Sequence, residues 1–317
     1  IRRISRGDLM FPIIPANSVT APSGNQEGIF GFGLYGSVTA VTNLVSNVGV
    51  VASDTAGVGT ARRETAATQY GGDKAIFAFG DDSTGSPTAR NVVSMSNLVS
   101  NAGVVASDTA GVGTARNQLA AATYGEDKGI FGFGKNASHS YVGMTNLVNN
   151  SGDVASDTAI VAGVTARGEI LGACEYGTDK AIFAYGYGGS AVQSVSNLVS
   201  NAGVVASDTA GVGTARYSIA ACSYGGDKGI FGFGYNDVSL LGVTNLVTNL
   251  GVVGNDVAAV GTVRMGASAC EYGGDKGIFG YGNGVAETNL VDNAGVVASD
   301  VTQVGTANEN RAACSFN

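Results

Sequence analysis

One phrase recurs six times along this chain, and its best preserved copy runs Ala220-Ala221-Cys222-Ser223-Tyr224-Gly225-Gly226-Asp227-Lys228-Gly229-Ile230-Phe231-Gly232-Phe233-Gly234. A segment of the form Val-Thr-Asn-Leu-Val, constant in its Asn-Leu-Val, follows every copy, and then a Gly-Thr-Ala-Arg signature or a close variant of it. A repeat this long lays down one supersecondary unit again and again, so the chain folds as an array and not as a pair of ordinary domains. With the Ile of each Ile-Phe pair as marker, the copies fall at Ile29, Ile76, Ile130, Ile182, Ile230 and Ile278, spaced by 47, 54, 52, 48 and 48 residues. Four short strands with their turns fill about that length. The apolar runs are short, β-branched and broken by Gly, Asn and Asp at turn spacing, which excludes helix.

In the fifth copy the strands are expected at 218–224, 228–234, 242–248 and 251–256, with a hairpin turn at Gly225-Gly226-Asp227 whose glycines supply positive φ. Fifty glycines in 317 residues, about twice the usual share, beside four prolines, serve turns and close strand packing and not a disordered linker. Small residues flank each Ile-Phe pair and vary together: Gly28 with Gly31, Ala75 with Ala78, Gly129 with Gly132, Ala181 with Ala184. A strand covered on both faces has no room there for more.

The ends carry the topology. The repeats begin at a second strand, 28–33, with no first strand before it, and finish at 311–317 with a first strand and no second. Joined head to tail they complete one unit, the closure by which a propeller removes its open edges. The expected fold is therefore all-β: a six-bladed β-propeller of four-stranded blades over residues 28–317, closed by pairing of the N- and C-terminal strands. Residues 1–27 form a leader or docking segment. It holds three arginines and an apolar stretch at 9–15, expected to pack on the propeller or on another subunit. Its start lacks both Met and the apolar core of a signal peptide, so the chain reads as a processed or partial product.

Net charge is −8 with a pI near 4.6, which argues against a nucleic-acid surface, because phosphate binding needs clustered Lys and Arg. No run of eighteen apolar residues marks a membrane-spanning helix, and no membrane insertion is expected. Cys174, Cys222, Cys270 and Cys314 fall at one register in different copies, a whole unit apart, and are expected to stay free thiols. Arg62, Arg116, Arg167, Arg216 and Arg264 recur at one position, as do Asp54, Asp108, Asp157, Asp208, Asp256 and Asp300. Residues present in nearly every copy belong to the scaffold, here as an Arg–Asp clamp.

The order Arg216, Ile219-Ala220-Ala221, Gly225-Gly226, Ile230-Phe231-Gly232-Phe233-Gly234, Asn245 resembles the kelch motif, although the Trp of a kelch fourth strand is missing. The wording Tyr-Gly-Gly-Asp-Lys-x-Ile-Phe-x-[Phe/Tyr]-Gly is also similar to repeat proteins of marine bacteriophage and environmental sequences, many of them tail or fibre components. Enzymes with a propeller fold fail on residue content. A copper oxidase of the galactose-oxidase kind, which resembles kelch in fold, needs two histidine ligands, and this chain has only His139. A sialidase would show Ser-x-Asp-x-Gly-x-x-Trp turns, and the chain has no Trp. No Asp-x-Asp-x-Asp-Gly loop offers a Ca²⁺ site. No catalytic residue, metal or cofactor is assigned.

The wording breaks down between the second and third strands, at 34–41, 81–95, 135–144, 187–195, 235–243 and 283–287. These loops emerge beside the fourth-to-first connections, around one mouth of the channel. Binding residues concentrate in such loops on a rigid scaffold. Tyr35, Arg90, Asn91, His139, Tyr141, Tyr187, Tyr235 and Asp237 combine aromatic faces with hydrogen-bonding groups, the inventory of a carbohydrate site. The phage likeness implies an extracellular or virion-borne adhesin that recognises a cell-surface glycan or protein. The alternative is a structural decoration or filament subunit whose residues 1–27 contact other virion or filament subunits.

Overall fold

The first strand of each repeat packs beside the first strands of its neighbours, and the architecture follows from that contact. It is described from a computed structural model covering residues 26–83, 90–258, 260–302 and 305–316. The segment before residue 26, with its apolar stretch at 9–15, and residues 84–89 of the second variable loop lie outside the described residues. All described strands are antiparallel, gathered into many small sheets, and the fold is all-β.

Six principal sheets correspond to the six repeats. Unit five shows the pattern with first strand Ala220–Tyr224, second strand Lys228–Tyr235 and third strand Leu240–Val247. Units two, three and four repeat it with second strands Lys74–Asp81, Lys128–Gly132 and Lys180–Ala184. Unit six adds a short fourth strand, Val301–Thr302. Unit one is assembled from both ends of the chain. Its second strand Glu27–Gly31 pairs on one side with Thr42–Val45 and on the other with the last strand Ala312–Phe316, in the register Glu27↔Phe316 to Gly31↔Ala312.

The expected fourth strand is corrected. In unit five, expected at 251–256, it is reduced to the isolated bridges Val247↔Val253 and Thr244↔Val257, and units one to four repeat this. The buried Asn245 side chain interrupts the ladder, its Nδ2 donating to the Gly254 carbonyl at 3.0 Å and to Asp256 Oδ1 at 2.9 Å.

A kink in every second strand decides how units meet. The aromatic residue two after the Phe of Ile-Phe has left-handed φ throughout: Phe32 62°, Phe79 63°, Phe133 65°, Tyr185 64°, Phe233 63° and Tyr281 63°. In a plain strand residues i and i+2 share a face. The kink, a bulge at Gly232/Gly234 in unit five, sends the second ring to the opposite face. Phe30 therefore meets Tyr281 of unit six, with ring centroids 5.1 Å apart, while Phe32 meets Phe77 of unit two at 5.1 Å. The same edge-to-face contact joins every successive pair of units, and unit six to unit one.

The small residues follow from this packing. A methyl group on Gly31, Gly132, Gly232 or Gly280 would lie 2.8–2.9 Å from the Phe ring tip of the next unit. Units two and four carry Ala78 and Ala184 there, and their ring pairs stand 5.4 Å apart, against 5.1–5.2 Å elsewhere. One methyl widens the joint by that difference. The four cysteines, all free and buried, fill the matching place at the first strands. Cys270 faces Gly28 of the next unit, Cys174 faces Gly229 and Cys222 faces Gly277. Where the glycine is replaced by Ala181, the facing residue in the shared core is the smaller Ala122.

Buried arginines lock these joints. Arg62, Arg116, Arg167, Arg216 and Arg264 are wholly buried, each guanidinium 4.0–4.3 Å from the centre of the preceding unit's second aromatic ring. Each donates from Nη2 to an Asn of the third strand at 2.6 Å, as Arg216 does to Asn245. The repeated Asp stands 3.8–4.0 Å away and also accepts from the Thr of Gly-Thr-Ala-Arg. Burial draws these aspartates upward, but the hydrogen bonds from Thr and Asn outweigh it and hold them below the usual carboxylate range.

Two stability changes are expected. Gly277→Ala should cost about 1–3 kcal/mol by overpacking, and that cost should nearly vanish in a Cys222→Ala background. Denaturant melts of the four proteins of the cycle measure it, and an equal cost in both backgrounds refutes the joint. Deleting residues 312–317 takes one of two partners from Glu27–Gly31 and exposes its backbone groups, so the melting temperature should fall by many degrees; a deletion melting like the intact chain refutes the pairing.

Candidate functional site

The connection from the repeated Arg into each first strand passes through a residue with positive φ: Glu64 55°, Gln118 56°, Glu169 61°, Ser218 51°, Gly266 64° and Asn310 54°. These residues bond backbone to backbone from unit to unit. Glu64 N–H donates to Asn310, Asn310 to Gly266, Gly266 to Ser218, Ser218 to Glu169, and Gln118 to Glu64, at 2.8–3.1 Å. Ile170, beside a one-residue insertion in unit four, donates to Gln118 at 3.2 Å and completes the circuit. In five of the six units the residue before the positive-φ position pairs with the start of a variable loop, as in the bridges Arg63↔Asp81, Tyr217↔Tyr235 and Leu34↔Glu309. Connections and variable loops thus share one mouth of the array.

The loops bring some of the expected residues together. Tyr141 of unit three lies 6.0 Å from Tyr187 of unit four, Tyr187 lies 5.8 Å from Tyr217, and Tyr217 lies 5.7 Å from Tyr235 of unit five. All four are half-buried and form a continuous row. At one end Lys135 Nζ sits 4.7 Å over the Tyr141 ring and pairs with Glu169, which also accepts from the Tyr141 hydroxyl at 3.3 Å. Burial, then the Glu169 charge, raises the Tyr141 phenol. At the other end Tyr217 lies near Asp237, and burial, then this carboxylate, pushes its phenol up to about 12.

Other expected residues stand apart. Arg90 is engaged by Glu64, Nη1 to Oε2 2.8 Å, and Glu64 also accepts from Asn117 at 2.6 Å. Burial raises the Glu64 carboxyl despite the nearby Arg90 and Arg63 charges. Asn91 is exposed, with its backbone N–H on Asp81 Oδ1 at 3.2 Å. His139 sits exposed on a loop tip with φ 58°. Tyr35, 60% exposed, belongs to the hairpin 34–38 of unit one, with units two and six between it and the tyrosine row.

Tyr217, Lys135, Glu169 and Glu64 escape a search confined to conspicuous residues of the second-to-third loops. Three of them lie in the connection after the repeated Arg. There the sequence reads Arg-Glu, Asn-Gln, Gly-Glu, Tyr-Ser, Met-Gly and Glu-Asn in turn, and that variation between constant flanks was the available signal.

The opposite end of the first strands carries a second set of groups. Gln69, Thr123, Glu175, Ser223, Glu271 and Ser315 line a narrow axial cavity that all six repeats share. Burial, then the charge of Glu271, pushes Glu175 up to about 8; burial, then Asp275, pushes Glu271 up to about 7. Among the described residues no cluster of three or more His, Cys, Asp and Glu side chains is arranged to hold a metal. No family model matches the chain, and no curated protein matches it.

The axial glutamates set a pH dependence. Their folded pKa values lie above the usual 4.5, so between about pH 5 and 8 the folded chain holds protons that the unfolded chain has released, and stability falls as pH rises. The clamp aspartates act in the opposite sense, losing their contribution as pH drops through their lowered values. Stability is expected to peak near pH 5 and to fall by about 2 kcal/mol or more by pH 9. Glu175→Gln with Glu271→Gln should flatten the alkaline fall in urea melts across pH; an unchanged slope refutes the assignment.

Proposed function

We propose that the chain is a six-bladed, kelch-like β-propeller serving as a non-catalytic binding module, an extracellular or virion-borne adhesin that takes a cell-surface glycan or protein on the mouth face. The tyrosine row Tyr141–Tyr187–Tyr217–Tyr235 carries this reading. A propeller built of like blades commits its repeated residues to the scaffold, so a ligand without sixfold symmetry is met by groups that differ between blades. The row is such a group: hydroxyl-tipped aromatic surface, half exposed, with Lys135 and Glu169 at one end and Asp237 at the other. Ring faces and edges of this kind pack on the C–H patches of sugars while the charged ends orient hydroxyls.

A second reading, a structural decoration or filament subunit, draws on the outer rim. Val50, Val104, Val204, Val252 and Val296 recur at the turn after the third strand, each about three-fifths exposed. Repeated exposed apolar side chains suit contacts between copies. Residues 1–27 are then the contact segment, of which only 26 and 27 are among the described residues.

Replacing Tyr187 and Tyr217 with Ala should abolish binding on a glycan array or to host cells while shifting the melting temperature by no more than a few degrees, because half-exposed loop side chains contribute little to the core. Retained binding would move the adhesive face elsewhere. A mass in solution well above that of one chain, lost on Val→Ser replacement at the rim, would favour the structural reading.

A further inference from the structure

In the unit made from the two chain ends the arginine clamp is out of register. The signature there reads Gly305-Thr306-Ala307-Asn308, so Asn308 stands where the other units have Arg. Asn308 Nδ2 reaches the Phe32 carbonyl only at 3.5 Å, the counterpart of the 2.9 Å bond that Arg216 Nε makes to Phe233. Arg311, three residues on, supplies the guanidinium instead and places it 4.3 Å from the Tyr281 ring centre.

This substitution leaves hydrogen-bonding capacity unused. Arg311 is 4% exposed, and its Nη2 donates to the Phe30 and Val41 carbonyls at 3.2 Å, while its Nε, like those of Arg167 and Arg264, has no partner. The Asn43 carbonyl oxygen, counterpart of the one that accepts at 2.6 Å in the other clamps, has none either. The carbonyl two residues before Arg311, that of Glu309, is taken by the Leu34 amide. Each other clamp arginine has a carboxylate within 4.0 Å; among the described residues Arg311 has none within that distance, and Asp54, the clamp aspartate of its unit, acts on it only from farther off. A buried cation paired so loosely is a costly arrangement.

Beside it lies a cavity of about 170 Å³ lined by Tyr35, Ser37, Thr39, Thr306, Asn308 and Arg311, far more than one water needs. It opens next to the exposed Tyr35 and Ser37, and its wall offers hydroxyls, an amide, one aromatic ring and one cation. We propose that this closing pocket is a ligand site for a small acidic sugar, with the carboxylate held by Arg311, hydroxyls by Ser37, Thr39 and Asn308, and the ring against Tyr35. With Nη2 taken by two carbonyls, the carboxylate accepts a single charge-assisted bond from Arg311 Nη1, and its charge adds to that of the more distant Asp54. Tyr35 then acts here and not with the tyrosine row, so this site stands or falls apart from the row.

The test is calorimetric titration of the full chain with D-glucuronate and, as its uncharged counterpart, D-glucose. Glucuronate should bind at least tenfold more tightly than glucose and weaken as salt is raised. Ser37→Phe, which fills the pocket from an exposed position outside the clamp, should remove binding with an unchanged melting temperature, and Tyr35→Ala should weaken it several-fold. The Tyr187→Ala, Tyr217→Ala protein should bind glucuronate as the parent does, which separates this site from the row. Equal affinity for the two sugars, no binding of either, or binding that survives Ser37→Phe would each overturn the proposal.

Discussion

The left-handed turn at the second aromatic residue of each second strand is the constraint on which the joints between units depend. Such a φ is unfavourable for a non-glycine residue, of order 1 kcal/mol or more, and six residues adopt it, from Phe32 to Tyr281. It turns one strand into a two-sided coupler, one ring reaching back and one forward. Without it Phe30 and Phe32 would lie on one face, and each sheet would grip a single neighbour. The strain is offset by burying both rings completely and by laying a guanidinium over the second. The clamp is therefore a consequence of the kink, since the flipped ring is what Arg62 and its equivalents cover.

The two ends of the first strands are tied by main-chain bonds of the same kind. At one end the circuit from Glu64 through Asn310 runs through positive-φ residues. At the other, the hairpin glycines donate to the next unit, Gly71 to Asp127, Gly125 to Asp179, Gly177 to Asp227, Gly225 to Asp275 and Gly273 to Gln26, at 2.7–2.8 Å. Gln26 thus takes the register of the hairpin aspartates at the point where the chain enters. The Lys–Asp pairs of these turns are more than a third exposed on the lysine side and add little.

Much of this was legible in the sequence, and the failures have physical causes. The repeat spacing, the hairpin glycines and the incomplete terminal units pointed to the order of the first three strands and to pairing of the C-terminal strand, expected from 311, with 28–33, found as 312–316 on 27–31, because turn chemistry and period-two burial are local. The paired variation of small residues was legible as a pattern, but its partner lies in the next unit: Gly28 answers to Cys270, and no local rule links them. The fourth strand was over-read because Asn245 bonds in place of the backbone, and a buried Asn looks like any turn-forming Asn. Arg90 looked available and is engaged by Glu64, a residue in a different connection. Tyr217 completes the tyrosine row from the far side of a sheet joint, a proximity that sequence distance conceals.

The closing unit shows how a symmetric scaffold becomes unequal. Five units draw their arginine from one uninterrupted passage of chain; the sixth must build the same joint from residue 43 on one side and residue 311 on the other. Arg311 recovers the stacking contact with Tyr281 from a register three residues away, but geometry then denies it the Asn43 oxygen. An orphaned buried acceptor costs about 1–3 kcal/mol, so the closing joint is the least satisfied of the six while the others remain fully bonded at the same Asn. Most inequalities of the array therefore gather at one mouth: the variable loops, the two residues after each arginine, and this displaced clamp. The opposite end keeps a smaller set, the Gln, Thr, Glu and Ser side chains around the axial cavity, where the backbone frame stays equal and only the side chains differ.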